Sequence, residues 1–123
     1  MTVYVTKTAN TVAGGIAHMI EAANEDYVGD GGFMPPADKV RMKMCAEFVD
    51  GWGVRPGSKY IKILRDNGGY AWGFVVNTDT DKKFKKGDIL KCAGYKAPAR
   101  NAARGNVLEG NYPINWTGPV YLK

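Results

Sequence analysis

The chain has 123 residues, of which 45% are hydrophobic and 24% are charged, a composition typical of a soluble globular protein and not of a disordered one. It contains no run of about 18 apolar residues, and the start MTVYVTKTAN lacks the basic and apolar regions of a signal peptide, so we expect a cytoplasmic protein. The net charge of +5 is concentrated in the second half, which predicts an anionic partner such as a nucleotide or a nucleic acid.

The first part of the chain predicts a strand, a helix and a loop. Residues 2–7 alternate between apolar and polar side chains in the manner of a half-buried strand. Over residues 11–24 the apolar side chains recur at helical spacing, although the pair Gly14 and Gly15 weakens the first turn. The stretch 25–36 is rich in Gly, Asp and Pro and predicts a long loop.

A second helix is predicted from Pro36 to the glycines near residue 51, and it has the clearest helical pattern in the chain. Its charged residues face outward, and its apolar stripe comprises Val40, Met44, Cys45, Phe48 and Val49. The segment VRPGS, residues 54–58, then predicts a turn.

The strongest local pattern is that of a β-hairpin. Two strand-like runs, 59–64 and 69–76, are joined by RDNGG, in which Asn67 and Gly68 form the dipeptide that favours a tight turn. Side chains alternate between the two faces of a strand. On the second strand we therefore expect one face to carry Tyr70, Trp72, Phe74 and Val76.

The aromatic residues of this second strand have two interpretations. Most of them are expected to belong to the hydrophobic core. The strand pattern ends near residue 77, however. A ring close to that end, that of Phe74 or Trp72, is therefore a candidate for stacking on a base at the mouth of a pocket.

The C-terminal part begins with a turn at Gly87 and Asp88 and a short apolar run that predicts a strand. The segment KAPARNAARGN, residues 96–106, comes next. Pro98 suits the first position of a helix, and Gly105 suits the left-handed residue after its last turn. The segment therefore predicts a very short helix.

This short helix would carry a group of side chains suited to anions. Residues four apart share a helix face, which would aim Arg100 and Arg104 in the same direction. Guanidinium groups donate in pairs to phosphate or carboxylate oxygens, and Asn101 and Asn106 add amides for hydroxyls or base edges. The segment predicts a clamp for an anionic ligand, with a solvated surface pair of arginines as the alternative.

The tail, residues 111–123, alternates again and predicts an edge strand, because Pro113 and Pro119 cannot donate to a neighbour in a central strand. Together the elements predict an α+β protein. We expect one compact nucleotide-binding domain over residues 1–123, with an antiparallel sheet of four to six strands, one long helix and one or two shorter helices.

Few residues suggest catalysis. The single histidine, His18, lies among apolar residues of a predicted helix, and the acids Asp79 and Asp81 lie in a loop where solvation or turn capping is the usual role. Cys45 and Cys92 lack the spacing of a zinc site or a disulfide framework and are interpreted as buried free thiols. The sequence favours a binding protein without catalytic residues, metal or cofactor; a small nuclease or cyclic-nucleotide hydrolase that uses scattered acids is the enzymatic alternative.

One stretch of the sequence resembles a known family. The run KKGDILKCAGYKAPARNAARGNVLEG, followed by NWTGP, resembles the C-terminal half of small phage proteins of the Thoeris anti-defence one family. The match covers residues 72–118, and its most specific part is PARNAARGN.

The resemblance implies a compact α+β protomer that forms a homodimer or a larger homo-oligomer in the host cell cytoplasm. Such proteins act as sponges: they sequester cyclic ADP-ribose-type immune signals, such as glycocyclic ADP-ribose, without cleaving them. Some members similarly hold cyclic oligonucleotides at separate sites.

The resemblance also implies a set of ligand-binding residues. Arg100 and Arg104 would reach the diphosphate, with one of them packing on adenine, and Phe74 would be the stacking aromatic residue. An asparagine would contact the ribose hydroxyls, and three residues compete for that position: Asn77, Asn101 and Asn106.

Two other functions remain open. In a small nucleic-acid-binding protein, the basic half would follow a phosphate backbone while the aromatic strand stacks on unpaired bases. In a phage inhibitor that docks on a host protein, the predicted loop would supply the contact through Tyr27, Phe33 and Met34.

Overall fold

The computed structural model describes residues 3–30 and 39–120, and their fold is α+β with antiparallel strand pairing, as the sequence predicted. The elements of this described part are β1 (Val3–Val5), α1 (Val12–Asp30), α2 (Lys39–Asp50), β2 (Gly53–Pro56), β3 (Tyr60–Arg65), β4 (Tyr70–Val76), β5 (Ile89–Leu90), β6 (Tyr112–Asn115) and β7 (Gly118–Pro119). Neither of the two described helices has the length and apolar character that crossing a membrane requires.

The described strands form two sheets where the sequence predicted one. β1, β6 and β7 form a three-stranded sheet in the order β1-β6-β7, and β2 to β5 form a four-stranded sheet in chain order. β6 is therefore a middle strand and not the predicted edge. Pro113 is tolerated in it because the two-residue β7 pairs only with Ile114 and Asn115 and does not extend to the proline.

α1 is longer than the sequence predicted, because it continues to Asp30 through residues expected to form a loop. Tyr27, in this extension, stacks on Phe48 of α2 with ring centroids 4.1 Å apart. Tertiary packing of this kind stabilises helical turns that local sequence does not favour. The other two residues of the predicted docking loop, Phe33 and Met34, lie outside the described residues.

α2 confirms the second predicted helix, although its apolar stripe is only partly buried. Phe48 is 7% exposed, whereas Met44 and Val49 are 45% and 44% exposed. The side chains of Val40 and Cys45 are outside the described part of the chain. Within that part, α2 is anchored chiefly by the ring of Phe48.

β3 and β4 confirm the predicted hairpin, and a 3-10 turn at Asp66–Gly68 joins them. Asp66 and Asn67 both have positive φ angles, of 53° and 54°, which Asp and Asn tolerate better than other residues with side chains. The Asn-Gly pair therefore lies at the tight turn that it predicted.

A β-bulge interrupts the pairing of this hairpin. Ile63 pairs with Gly73 and Leu64 pairs with Ala71, which leaves Trp72 as an extra residue on β4. The prediction of a shared face for the aromatic row is wrong for this reason, since one extra residue shifts the alternation. Trp72 belongs to one hydrophobic cluster and Phe74 to another.

Buried hydrophobic side chains form two clusters in the described residues, and the four-stranded sheet contributes to both. The larger cluster joins α1 to both sheets through residues such as Met19, Ile63 and Ile114. The smaller cluster contains Phe74, Val76, Phe84 and Leu90. Because residues of the sheet are buried on both faces, β4 is buried without interruption from residue 72 to residue 76.

The segment predicted as a turn at residues 54–58 begins instead with a strand. β2 pairs with β3 at the edge of the four-stranded sheet, and Val54 on it is 47% exposed. An exposed edge strand lacks the apolar alternation that identifies buried strands, and an edge also accommodates Pro56. The turn comes later, where the N–H of Gly57 donates to the Tyr60 carbonyl at 2.9 Å.

Residues 91–106 contain no helix, so the predicted short helix is wrong. The chain returns along β5 instead: the Ile89 N–H donates to the Gly105 carbonyl, and the Arg104 N–H donates to the Ile89 carbonyl, both at 2.8 Å. These bonds use backbone groups that a helix would pair internally. Two turns of helix are too few to compete with them.

We expect Gly15→Ala to destabilise the fold. A Cβ atom at Gly15 would lie 2.3 Å from the Val107 carbonyl oxygen and 2.7 Å from its Cβ, so α1 would have to move away from that segment. The expected loss is about 1 to 3 kcal/mol in the free energy of unfolding, the usual cost of overpacking. Urea denaturation measures it.

Gly14→Ala is the matched control at the neighbouring residue. A Cβ there would meet the Thr11 Oγ1 atom at 3.2 Å and the Ala9 Cβ at 3.9 Å, and it would meet no backbone atom of another segment within 4 Å. Its effect should stay within about 1 kcal/mol of wild type, since alanine also favours the helix. Equal losses in the two variants would contradict the close approach at Gly15 as the cause.

Candidate functional site

Arg100 is held by an acidic side chain from another loop. Its Nη1 and Nη2 groups donate to the Asp81 carboxylate at 2.9 and 3.0 Å, and Nη1 also donates to the Tyr60 hydroxyl at the start of β3. The guanidinium carbon lies 4.9 Å from the centroid of the Phe84 ring. This two-point pairing fixes the guanidinium plane, while the side chain stays 38% exposed.

Asp81 is the anchor of this arrangement, and its side chain is only 1% exposed. Besides Arg100, its Oδ1 atom accepts the backbone N–H groups of Lys83 and Phe84 at 2.9 and 3.0 Å. The hydrogen bonds from Arg100 and from these N–H groups hold the pKa of Asp81 well below its usual range. The carboxylate in turn raises the pKa of Arg100. Both groups are therefore charged at neutral pH.

Arg100 and Asp81 line a cavity of about 590 Å³ between the turn before β3 and the loop after β4. The remaining lining residues are cationic or carry hydroxyl groups: Ser58, Lys59, Thr78, Thr80 and Lys82. Three cations and one carboxylate give this Arg100 cavity a formal charge of +2. Its volume suits a nucleotide-sized ligand, and its charge suits a diphosphate.

Arg100 retains donors that a ligand can use. A guanidinium has five N–H donors, and three hydrogen bonds run from Arg100 to Asp81 and Tyr60. The other two donors find no acceptor among the residues that the structure describes. The backbone is also fixed here, because Lys83 Nζ donates to the Arg100 carbonyl at 2.7 Å.

Arg104 is not among the residues that line this cavity. It is 8% exposed, and its guanidinium donates to three oxygens of the protein, those of the Ala102 carbonyl at 3.1 Å and of the Val120 carbonyl and Asn101 side chain at 2.9 Å. The structure therefore directs Arg100 and Arg104 to different partners. Arg104 thus connects the segment that runs back beside β5 to Val120, the residue that follows β7.

The three candidate asparagines all bond within the protein. Asn101 accepts from Arg104, and the side-chain amide of Asn106, which is 6% exposed, donates to the Lys86 carbonyl and accepts the Leu108 N–H. Asn77 donates to the Gly57 carbonyl at 2.9 Å. Asn77 thus joins the turn before β3 to the end of β4, and both segments continue into residues that line the Arg100 cavity.

The candidate stacking rings are buried. Trp72 is 2% exposed, and its indole N–H donates to the Trp116 carbonyl at 2.8 Å. Phe74 is 3% exposed and meets the Tyr60 ring edge-on, with centroids 6.1 Å apart. The ring that bonds Arg100 directly is that of Tyr60.

Sequence reasoning missed the partners of Arg100. Asp81 was interpreted as a solvated or turn-capping acid, and its bonds to two backbone N–H groups do cap a turn. No local pattern indicated its ion pair with Arg100, which is 19 residues away. The hydroxyl-rich sequence NTDTDKK is the signal that could have indicated a polar cavity wall.

Comparisons of the chain with protein-family models, with curated proteins and with solved structures found no match. In the part of the chain that the structure describes, no three His, Cys, Asp or Glu residues are grouped so that they could hold a metal ion. The cations and hydroxyls of the Arg100 cavity are thus the chemistry from which a function can be inferred.

We expect Asp81→Asn to change how stability depends on pH. A carboxylate whose pKa falls on folding stabilises the protein above its unfolded pKa, about 3.9, and that contribution is lost as the pH falls below this value. Wild type should therefore lose stability steeply below about pH 4. The variant should be less stable at neutral pH and should show a shallower loss in acid.

Urea denaturation over a series of pH values measures this difference. Asp79→Asn, at an exposed residue of the same loop, is the matched control and should leave the profile unchanged. Coinciding profiles for wild type and Asp81→Asn would contradict the anchoring role of Asp81.

We expect Arg104→Ala to lower the stability of the fold. It removes three hydrogen bonds from a buried cation, and the expected loss is roughly 2 to 3 kcal/mol in the free energy of unfolding. Arg55→Ala, at an exposed arginine of β2, should change little. A fully stable Arg104→Ala protein would show that these bonds contribute nothing to the fold.

Proposed function

We propose that the protein binds a cyclic ADP-ribose-type nucleotide in the Arg100 cavity and sequesters it without chemical conversion. The observation that carries the proposal is a cavity of about 590 Å³ with a positive lining, hydroxyl groups and an arginine that is already oriented. The resemblance of PARNAARGN to the Thoeris anti-defence one family supports the same ligand class. With that resemblance, the proposal includes a homodimer in the host cytoplasm that withholds an immune signal.

The parts of such a ligand match the groups around the cavity. Its diphosphate would accept from Lys59, Lys82 and the two remaining N–H groups of Arg100. Its ribose hydroxyls would bond the serine and threonine hydroxyls of the lining. Its adenine would stack on the exposed guanidinium of Arg100, which Phe84 supports from within.

Tight binding at low ligand concentration is what a sequestering protein needs, and the fixed geometry of Arg100 supports it. Side chains that are ordered before binding lose little further conformational entropy when the ligand arrives. Asp81, Tyr60 and Lys83 supply this order, through the side chain and the backbone of Arg100.

Nucleic-acid binding is the second candidate function, and the four lysines that flank Phe84 favour it. Two of these lysines already have partners, since Lys83 donates to the Arg100 carbonyl at 2.7 Å and Lys85 pairs with Glu109 at 2.5 Å. Of the three rings that would stack on bases, Trp72 and Phe74 are buried and only Tyr70 is exposed. The small nucleotide is therefore the better-supported ligand.

Arg100→Ala tests the proposal directly. We expect the affinity for glycocyclic ADP-ribose or cyclic ADP-ribose to fall roughly 10- to 100-fold, because hydrogen bonds between charged groups are among the stronger contacts in a binding site. Isothermal titration calorimetry measures the affinity, and circular dichroism confirms the fold. Arg55→Ala, an exposed arginine outside the cavity, should bind as wild type does.

Two further measurements separate the sponge from its alternatives. Heating the complex should release the intact nucleotide, whereas a cleaved product would indicate an enzyme. Affinity should fall only gently with salt for a single diphosphate, whereas a nucleic-acid backbone gives a slope that reflects many phosphates. Unchanged affinity in Arg100→Ala would rule out the Arg100 cavity as the binding site.

A further inference from the structure

A second cavity, of about 370 Å³, lies between α1, α2, the β3–β4 turn and the β6–β7 turn. Aromatic rings form much of its wall, namely those of Tyr27, Tyr70 and Trp116, and the exposed acids Glu47 and Asp66 also line it. We refer to it as the aromatic cavity. It shares no lining residue with the Arg100 cavity, so a ligand bound here would not depend on the proposed nucleotide.

The rings around this cavity are held in fixed orientations. Tyr27 lies parallel to Phe48 with centroids 4.1 Å apart, and the guanidinium carbon of Arg65 lies 3.7 Å from the same Phe48 centroid. Two groups this close must occupy opposite faces of the phenylalanine. Trp116 stands perpendicular to Tyr27 at 5.0 Å, which gives the cavity two walls at a right angle.

The guanidinium of Arg65 is already used by the fold. Arg65 is 5% exposed, donates through Nη1 to the Phe48 carbonyl in the last turn of α2, and also lies 4.6 Å from the Trp52 ring centroid. A cation at the carboxyl end of a helix satisfies a terminal carbonyl and complements the helix dipole. Arg65 is thus a cap of α2.

The charge at the aromatic cavity is opposite in sign to that of the whole chain. Two carboxylates and one guanidinium give its described lining a formal charge of −1, while the chain carries +5. Aromatic faces and carboxylates together attract positive charge.

We propose that the aromatic cavity binds a small organic cation with an alkylammonium group of the choline type. The aromatic side chains that line the cavity would contact the methyl groups, and Glu47 and Asp66 would supply the opposite charge. These carboxylates would repel an anion. A neutral molecule of the same shape would gain the apolar contact but not the electrostatic attraction.

Choline and its neutral carbon isostere, 3,3-dimethyl-1-butanol, test this inference because they differ in charge and hardly in shape. We expect choline to bind wild-type protein saturably, with a dissociation constant in the millimolar range or tighter, and about tenfold more tightly than the isostere. Tryptophan fluorescence and calorimetry report the binding. Equal affinities, or no saturation by choline in the millimolar range, would overturn the proposal.

Charge variants give the second arm of the experiment. Glu47→Gln and Asp66→Asn should each weaken choline binding roughly two- to fivefold, the range expected for an exposed ionic contact. Glu109→Gln, an exposed acid that does not line the cavity, is the matched control and should have no effect. Lack of any effect from both cavity variants would contradict the role of the carboxylates.

The two proposals can fail separately. Arg100→Ala should leave choline binding unchanged, and Glu47→Gln should leave nucleotide binding unchanged, because neither residue lines the other cavity.

Discussion

The extra residue in β4 determines how the interior of this protein is divided. Trp72 has no partner on β3, so its ring packs in the cluster with α1, while Phe74 packs in the cluster with Phe84. The bulge also joins the two sheets. A Cβ atom at Gly73 would lie 3.1 Å from the Pro119 ring, and Trp72 donates to the Trp116 carbonyl at 2.8 Å, so the β6–β7 hairpin lies directly against the bulge.

The Arg100 cavity is built above the smaller of these two clusters. Phe84 belongs to that cluster, and the Arg100 guanidinium lies over the Phe84 ring. The Tyr60 ring meets the Phe74 ring edge-on, and the Tyr60 hydroxyl accepts a hydrogen bond from Arg100. Lys62 adds another cation over the Phe74 ring, at 5.9 Å. Aromatic rings thus lie beneath the cationic side chains of Arg100 and Lys62. Phe74 itself is buried beneath these charges and does not line the cavity.

Local patterns predicted much of the fold and little of the contact network. The hairpin at Asn67 and Gly68 and the helix around Phe48 follow from turn chemistry and helical periodicity, and both are present. The bulge at Trp72 has no such signature. The residues at the two ends of the segment around Pro98 predict a helix, but hydrogen bonds to β5 outweigh a preference confined to so few residues.

In the candidate site, too, local sequence patterns indicate individual residues but not their tertiary contacts. Arg100 could be selected from its sequence neighbourhood, because an arginine in a basic segment with amides is a general sign of anion binding. Asp81 could not be selected as its partner, since only the path of the chain between residues 81 and 100 brings them together. Arg104 has the same local features as Arg100, yet its bond to the Val120 carbonyl gives it a different position.

Hydrogen bonds in both directions connect two segments at the Arg100 cavity. One segment contains Asp81 and Lys83, and the other contains Arg100. Arg100 donates from one segment to the carboxylate of Asp81, and Lys83 donates from the other segment to the Arg100 carbonyl. These hydrogen bonds tie the two segments together at the wall of the Arg100 cavity. Isomers of a cyclic nucleotide carry the same charges and differ in the spacing of their groups. For the proposed ligand, a wall tied together in this way would favour the isomer whose groups match its spacing.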